Sequence, residues 1–201
     1  MLRRAQQVDE TRQRITEAAV RLHTSRGPSE ASIAAIAEEA GVTRLTVYRH
    51  FPDQEELFAA CMNHWESLHP PPNPLAWSAI KDLVERARVA LRDLYTWYSE
   101  VGGDLAPIHR DLEHLPPGAR ARIEAGNAWL AEAIVGDEGR DETVGTRRAR
   151  RLRAIAAHLV RLETWRSLVV EQGLDTAEAV DIGVAWLRAA ANQDAGNPAS
   201  V

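Results

Sequence analysis

The sequence has little cysteine, lysine or phenylalanine: among its 201 residues are one Cys and two Phe, and Lys81 is the single lysine among 24 cationic side chains. The lone Cys61 excludes an intrachain disulfide, and a chain of this length, which buries roughly 70% of its unfolded surface, needs none. Cysteine usage fits a reducing compartment. No apolar run approaches the roughly 20 residues of a membrane span. The opening MLRRAQQVDETRQR carries Arg3 and Arg4 with no apolar run behind them, so neither a secretory nor a twin-arginine signal is read. A cytoplasmic protein with no membrane partner is expected. Glycine-rich phosphate loops and nucleophile elbows are also lacking, so nothing argues for an enzyme.

Positive charge is not in excess either: 24 Lys and Arg stand against 29 Asp and Glu, a net charge of −5. Residues 1–60 hold eight Arg and nine acids. Binding to a polyanion therefore requires a local cationic surface rather than a domain-wide field.

What is present is helical periodicity. Ile15, Ala18, Ala19 and Leu22 recur at i, i+3, i+4 and i+7, as do Ile33, Ile36, Ala37 and Ala40. Phe58, Cys61, Met62 and Trp65 repeat the pattern, and a stripe from Ile80 through Leu83, Val84, Ala87, Leu91, Leu94 and Tyr95 to Tyr98 carries it for about five turns. Two long helices are expected to close the chain. One runs over about 146–172, with Leu152, Ile155, Ala156, Leu159, Leu162 and Val169 inward; the other runs over about 176–191. The fold class is all-α. Gly27 and Pro28 end the first helix, Gly41 the second, and the run His69-Pro-Pro-Pro-Asn-Pro74 separates two halves. Further breaks are expected at Pro116-Pro117-Gly118 and in the acidic loop 136–142. The expected organisation is a DNA-binding domain over 1–52, a connecting helix over 53–69, and a helical bundle for ligand binding and dimerisation over 75–201.

Between Ser32 and Phe51 the pattern is a short helix, the turn Ala40-Gly41-Val42-Thr43, and a second short helix, Arg-Leu-Thr-Val-Tyr-Arg-His-Phe. This is the grammar of a helix-turn-helix. Gly41 takes the positive φ that reverses the chain, Val42 plugs the angle between helices, and Thr43 caps the second helix. Val47 and Phe51, four apart, face inward. Arg44, Thr46, Tyr48, Arg49 and His50 are left on the sides and the exposed face, a polar and cationic set able to donate to base edges and phosphates. Arg3, Arg4, Arg12 and Arg14 are candidates for a phosphate-binding arm or flank, or simply a solvated terminus.

The stretch Ser32-Ile-Ala-Ala-Ile-Ala-Glu-Glu-Ala-Gly-Val-Thr-Arg-Leu-Thr-Val-Tyr-Arg-His-Phe-Pro-Asp-Gln-Glu-Glu-Leu-Phe58 resembles the DNA-binding domain of the tetracycline-repressor (TetR) family of bacterial transcription regulators, within about 11–65. The remainder resembles the family in architecture alone. The resemblance implies that Ser32 supplies a helix-start hydroxyl to phosphate, that Thr43, Arg44, Leu45 and Thr46 occupy base-reading positions, and that Tyr48 and His50 contact phosphate. Two positions depart from the family pattern. Leu45 replaces a small residue, placing a branched apolar side chain suited to a thymine methyl. Gln54 replaces the usual Lys at the start of the fourth helix, which predicts a shallower salt dependence by about one unit of slope.

Other constellations are weaker. His109, Glu113 and His114 read H-x-x-x-E-H, which misses both zincin spacings. Cys61, His64 and His69 lie near one helical face, where Cys61 and Trp65 are more simply core. No metal and no cofactor is expected. Arg147, Arg148, Arg150, Arg151 and Arg153 follow the acids Asp137, Glu138, Asp141 and Glu142, and read as a solvated face partly neutralised by that loop, or as a site for an anionic effector or a partner's acidic surface. Trp97, Trp129 and Trp165 fall on three expected helices, and with Tyr98 and the polar anchors His158 and Arg161 they are the expected lining of a pocket for a flat or apolar compound. Gly183, flanked by Val180, Val184, Leu187 and Ala191, is the expected close-approach point of a dimer built from the last two helices. The resemblance thus implies a homodimeric repressor that binds a palindromic double-stranded DNA operator and is released by a small-molecule effector. The rivals are a helical-bundle metal-dependent enzyme centred on His109, Glu113 and His114, and a ligand-binding dimer that has lost DNA binding.

Overall fold

The computed structural model describes residues 2–139 and 146–192. Asp141 and Glu142 lie outside the described residues, as do the side chains of Arg3 and Arg4. Every regular element among the described residues is helical. In chain order they are α1 (Leu2–Ser25), α2 (Ile33–Glu39), α3 (Arg44–His50), α4 (Gln54–Leu68), α5 (Pro74–Trp77), α6 (Leu83–Arg110), α7 (Pro117–Val135), α8 (Thr146–Leu159), α9 (Leu162–Trp165) and α10 (Thr176–Asn192). The chain forms two compact units, Met1–Pro70 with Gly103–Ile123, and Pro71–Gly102 with Glu124–Val201. The proline run marks a boundary, but the units are not consecutive blocks: α6 contributes Leu83–Gly102 to one and Gly103–Arg110 to the other. Expected helix 53–69, realised as α4, is part of the first unit rather than a separate connector.

In the first unit, α1 buries Ile15, Ala18, Ala19 and Leu22 against Ile36 and Ala37 of α2, Val47 of α3, and Leu57 and Cys61 of α4. The alanines let the helices approach closely, and Phe51 closes the end of this core at 2% exposure. A second cluster sets Phe58 against Leu115 and Ala119, with Met62, Ile108, Leu112 and Ile123 around it. Polar contacts tie the same segments: the Gly118 amide donates to Glu55 at 2.9 Å, and the Trp65 indole donates to Asp104 at 3.2 Å.

Asp111 closes the first unit over a sequence distance that no local pattern reveals. Its buried carboxylate accepts from the Ser29 amide at 3.1 Å and from the Ser29 hydroxyl. Arg110 holds the same carboxylate at 2.8 Å and donates to the Arg26 carbonyl at 2.6 Å. Gly27 turns there at φ 96°, where a Cβ would fall 2.4 Å from both Arg110 and Asp111. This capture ends α6 at Arg110, and Glu113 lies in a separate 3-10 turn, Leu112–His114. His109 and Glu113 of the H-x-x-x-E-H run therefore lie on different elements.

In the second unit, Trp77 is buried and donates to Asp93 at 2.9 Å, fixing α5 on α6. The buried Arg86 spends its donors on the carbonyls of Ile80, Lys81, Ile134 and Val135 and on Glu138. It thereby covers the C-terminal carbonyls of α7, which have no intrahelical partner. The expected single helix over 146–172 is broken: α8 stops at Leu159, α9 starts at Leu162, and a π-helical segment, Arg166–Glu171, follows. Gly183 of α10 sits where a Cβ would meet Leu91 at 2.8 Å and Leu159 at 3.1 Å.

Candidate nucleic-acid interface

The local chemistry of the helix-turn-helix is built as the sequence predicts. Ser32 caps α2 by accepting from the Ala35 amide at 3.2 Å. Gly41 has φ 65°, the left-handed conformation that suits glycine. Val42 packs, half-buried, against the core. Thr43 caps α3, accepting from the Thr46 amide at 3.2 Å, and its hydroxyl lies 3.0 Å from that of Thr46. Val47 is wholly buried, which fixes the rotation of α3 about its axis.

That rotation turns Arg44, Leu45, Tyr48 and Arg49 outward, with Leu45 at 78% and Tyr48 at 53% exposure. Thr46 is half-buried beside them. An exposed leucine and an exposed tyrosine on a seven-residue helix leave apolar surface in water, a state that a partner surface relieves. Arg14 and Arg49, with Gln7, Thr11 and Glu10, line a cleft of about 740 Å³ between α1 and α3. α4 begins at Gln54 behind its cap Asp53, which accepts from the Glu56 amide at 2.8 Å.

Two expected members differ. His50 lines the cleft but is 9% exposed, because position 50 falls on the same side of α3 as Val47 and meets α1. Its pKa is lowered, first by burial and then by the cations Arg49 and Arg12. His50 is thus a neutral ring at a helix seam rather than a solvent-facing cation. Arg12 is also no free arm: its guanidinium donates to the His50 carbonyl and lies 4.0 Å from the centroid of the Phe51 ring.

The expected ligand-pocket residues separate into several places within the second unit. Trp97, Tyr98 and Trp165 come together, with ring centroids 5.4 Å and 5.8 Å apart along the series. Trp165 is 6% exposed, lies over Gly102, and its indole N–H has no acceptor among the described residues. His158 is exposed and stacks on Trp186 at 6.2 Å. Arg161 pairs with Glu163 on the surface at 3.3 Å. Trp129 is 53% exposed and lines an open groove of about 820 Å³ with Leu75, Ile80 and Glu132. His158, Arg161 and Trp129 are therefore not lining residues of the aromatic cluster.

The expected dimer stripe is likewise displaced. Val180, Val184 and Leu187 are at most 2% exposed within one protomer, and Gly183 faces Leu91 and Leu159 of the same chain. These four residues are core, unavailable to a second copy. Of the arginine run, Arg148 donates to the Ala191 carbonyl at 3.1 Å and Arg153 to the Gly139 carbonyl at 2.9 Å. Among the described residues, no three His, Cys, Asp or Glu side chains are grouped to hold a metal, and no helix is long and apolar enough to cross a membrane.

Residues 15–61 match the family described as bacterial regulatory proteins, tetR family. The chain is similar to the HTH-type transcriptional regulator AcrR of Shigella flexneri, 46% identical over 54 residues that make up 27% of this chain and 25% of that protein. It is similar to the HTH-type transcriptional regulator TtgR of Pseudomonas putida, 43% identical over 70 residues, 34% of this chain and 33% of that protein. A nucleoid occlusion factor, SlmA of Haemophilus influenzae, is 36% identical over 61 residues, 30% of this chain and 28% of that protein. The match thus spans between a quarter and a third of each of these relatives. Over 89% of this chain and 96% of the other, the fold is that of a solved HlyIIR mutant, with a TM-score of 0.55 at 19% identity. The match to the family of bacterial regulatory proteins, tetR family, thus falls on the helix-turn-helix domain built on α1 to α4.

Proposed function

We propose that the protein is a homodimeric, effector-responsive DNA-binding regulator, acting as a repressor on a pseudo-palindromic operator. The observation that carries this reading is the outward set Arg44, Leu45, Tyr48 and Arg49, with half-buried Thr46 beside it, on a helix whose rotation is fixed by buried Val47 and Phe51. Thr43 and Ser32 add hydroxyls at the two helix starts, where phosphate is favoured. Two recognition helices related by a twofold axis read half-sites about one helical turn, or a small multiple, apart.

For dimerisation, the exposed faces of α8 and α10 replace the buried stripe. Trp186, 44% exposed and stacked on His158, is its centre. For the effector, the cluster of Trp97, Tyr98 and Trp165 supports a flat, largely apolar compound bearing one acceptor for the Trp165 indole. Release follows by linkage: a compound that binds better to a conformation with misplaced recognition helices weakens DNA binding by its differential affinity.

The test is selection of duplex DNA from a random pool by the full-length protein at two salt concentrations. Enrichment of a pseudo-palindrome is the expected result. No enrichment at either salt, from folded dimeric protein, overturns the reading.

A further inference from the structure

α3 has seven residues, too few to be stable as an isolated helix. Thr43 caps its start and Val47 anchors its middle, but its last carbonyls have no helical partner. Arg12 meets that end from α1. Its guanidinium donates to the His50 carbonyl, where a cation also complements the helix dipole, and its planar face lies 4.0 Å from the Phe51 ring centroid. Arg12 is half-buried, whereas Arg14, two residues on and so on a different face of α1, is exposed and lines the cleft with Arg49.

We propose that Arg12 is a positioning residue for the recognition helix: it clamps the C-terminal end of α3 to α1, and so sets DNA affinity without itself touching phosphate. This rests on the DNA-binding reading above. Two of the candidate cations of α1 then divide their work, Arg12 holding the helix and Arg14 facing the solvent from which DNA approaches.

The experiment compares full-length wild type, Arg12→Met, Arg12→Lys and Arg14→Met in two ways. Amide hydrogen exchange without DNA reads the clamp, and titration of the selected operator across a salt series reads its consequence. In Arg12→Met, amides 47–51 are expected to exchange about tenfold faster while those of α4 stay at the wild-type rate. Its operator affinity falls about tenfold, with the slope of log affinity against log salt unchanged. Arg12→Lys, which keeps a cation over Phe51, recovers part of both effects and reports on the clamp should Arg12→Met not fold. Arg14→Met leaves α3 exchange unchanged. A slope reduced by about one unit in the Arg12 variants makes Arg12 a phosphate contact and overturns the proposal. Wild-type exchange in α3 overturns it equally. If wild type selects no operator, the DNA reading fails by itself, and the exchange comparison still decides whether Arg12 holds α3.

Discussion

The Tyr98 hydroxyl donates to the Val160 carbonyl at 2.7 Å, where the helical ladder between α8 and α9 is interrupted. Tyr95 does the same for Leu159 at 3.0 Å, and Thr164 for His158 at 2.5 Å. Three successive carbonyls at the break are thus covered by side-chain hydroxyls. Burial pushes both phenols well above their ordinary pKa, so they remain donors at any working pH. Tyr98→Phe leaves a buried carbonyl unsatisfied and is expected to cost about 1–3 kcal/mol. Urea unfolding measures it; an unchanged midpoint would show that the break does not depend on this bond.

His23 gives the protein an acid-sensitive core. The ring is 6% exposed, 4.6 Å from the Phe58 centroid, and its Nδ1 has no partner among the described residues. Burial lowers its pKa to about 4 from 6.5. The folded state therefore binds fewer protons than the unfolded state between these values, and stability rises with pH across that window. The contribution is present above about pH 6.5 and is lost as pH falls toward 4, amounting to about 2 kcal/mol between pH 7 and pH 5. His23→Met is expected to remove this part of the pH dependence. Urea midpoints at pH 7 and pH 5 for both proteins check it, and equal losses in the two would sink the assignment.

Gly27 is expected to tolerate no side chain. At φ 96°, with Arg110 and Asp111 where a Cβ would stand, Gly27→Ala combines backbone strain with displacement of the Asp111 carboxylate from Ser29. The strain alone is about 1–3 kcal/mol. Arg110 and Ser29 hold the Asp111 carboxyl well below the ordinary carboxylate range, so its contribution is present above about pH 4 and is lost only as pH falls below that. Thermal unfolding of Gly27→Ala at neutral pH is the measurement; a wild-type Tm would contradict the close approach.

The helix-turn-helix was legible because its causes are local. Gly41, Thr43, Val47 and Phe51 act within one or two turns of themselves, so their spacing fixes both the turn and the outward face. Periodicity identified Val180, Val184 and Leu187 as buried with equal success, but it carries no information on what they are buried against; Leu91 and Leu159 come from distant helices. The break after Leu159 was hidden for a related reason. Leu162 and Val169 keep the helical spacing across it, and the hydroxyls that support it come from Tyr95 and Tyr98, more than sixty positions earlier. Asp111, reaching Ser29 across 82 positions, left no local signal at all. His50 carries no such mark either: a polar residue on a short helix reads as exposed, whereas position 50 lies at the seam with α1.

Trp186 tests the proposed dimer face. It is 44% exposed on α10 and stacks on His158 of α8, so a charge there disturbs a shared face without entering the protomer core. Trp186→Glu is expected to shift the protein to monomer in sedimentation experiments while its helical circular dichroism is retained. Val184→Glu, by contrast, should unfold the second unit, since Val184 is 1% exposed. A Trp186→Glu protein that stays dimeric would move the interface elsewhere.

Gln54 offers a gain of contact rather than a loss. It is the exposed first residue of α4, behind the cap Asp53 and ahead of Glu55 and Glu56, where the family pattern carries a lysine. Gln54→Lys is expected to add one charged phosphate contact, and the slope of log affinity against log salt should steepen by about one unit. Near the start of α4 a cation opposes the helix dipole, which costs stability by about 0.3–1 kcal/mol. The two effects have opposite signs in different measurements, tighter binding at low salt and a slightly lower Tm. Arg44→Ala and Tyr48→Ala, which leave the buried Val47 and Phe51 untouched, should lose operator affinity while remaining folded and dimeric. Wild-type isotherms for both, together with an unchanged slope in Gln54→Lys, would place the DNA-binding face somewhere other than α3 and the start of α4.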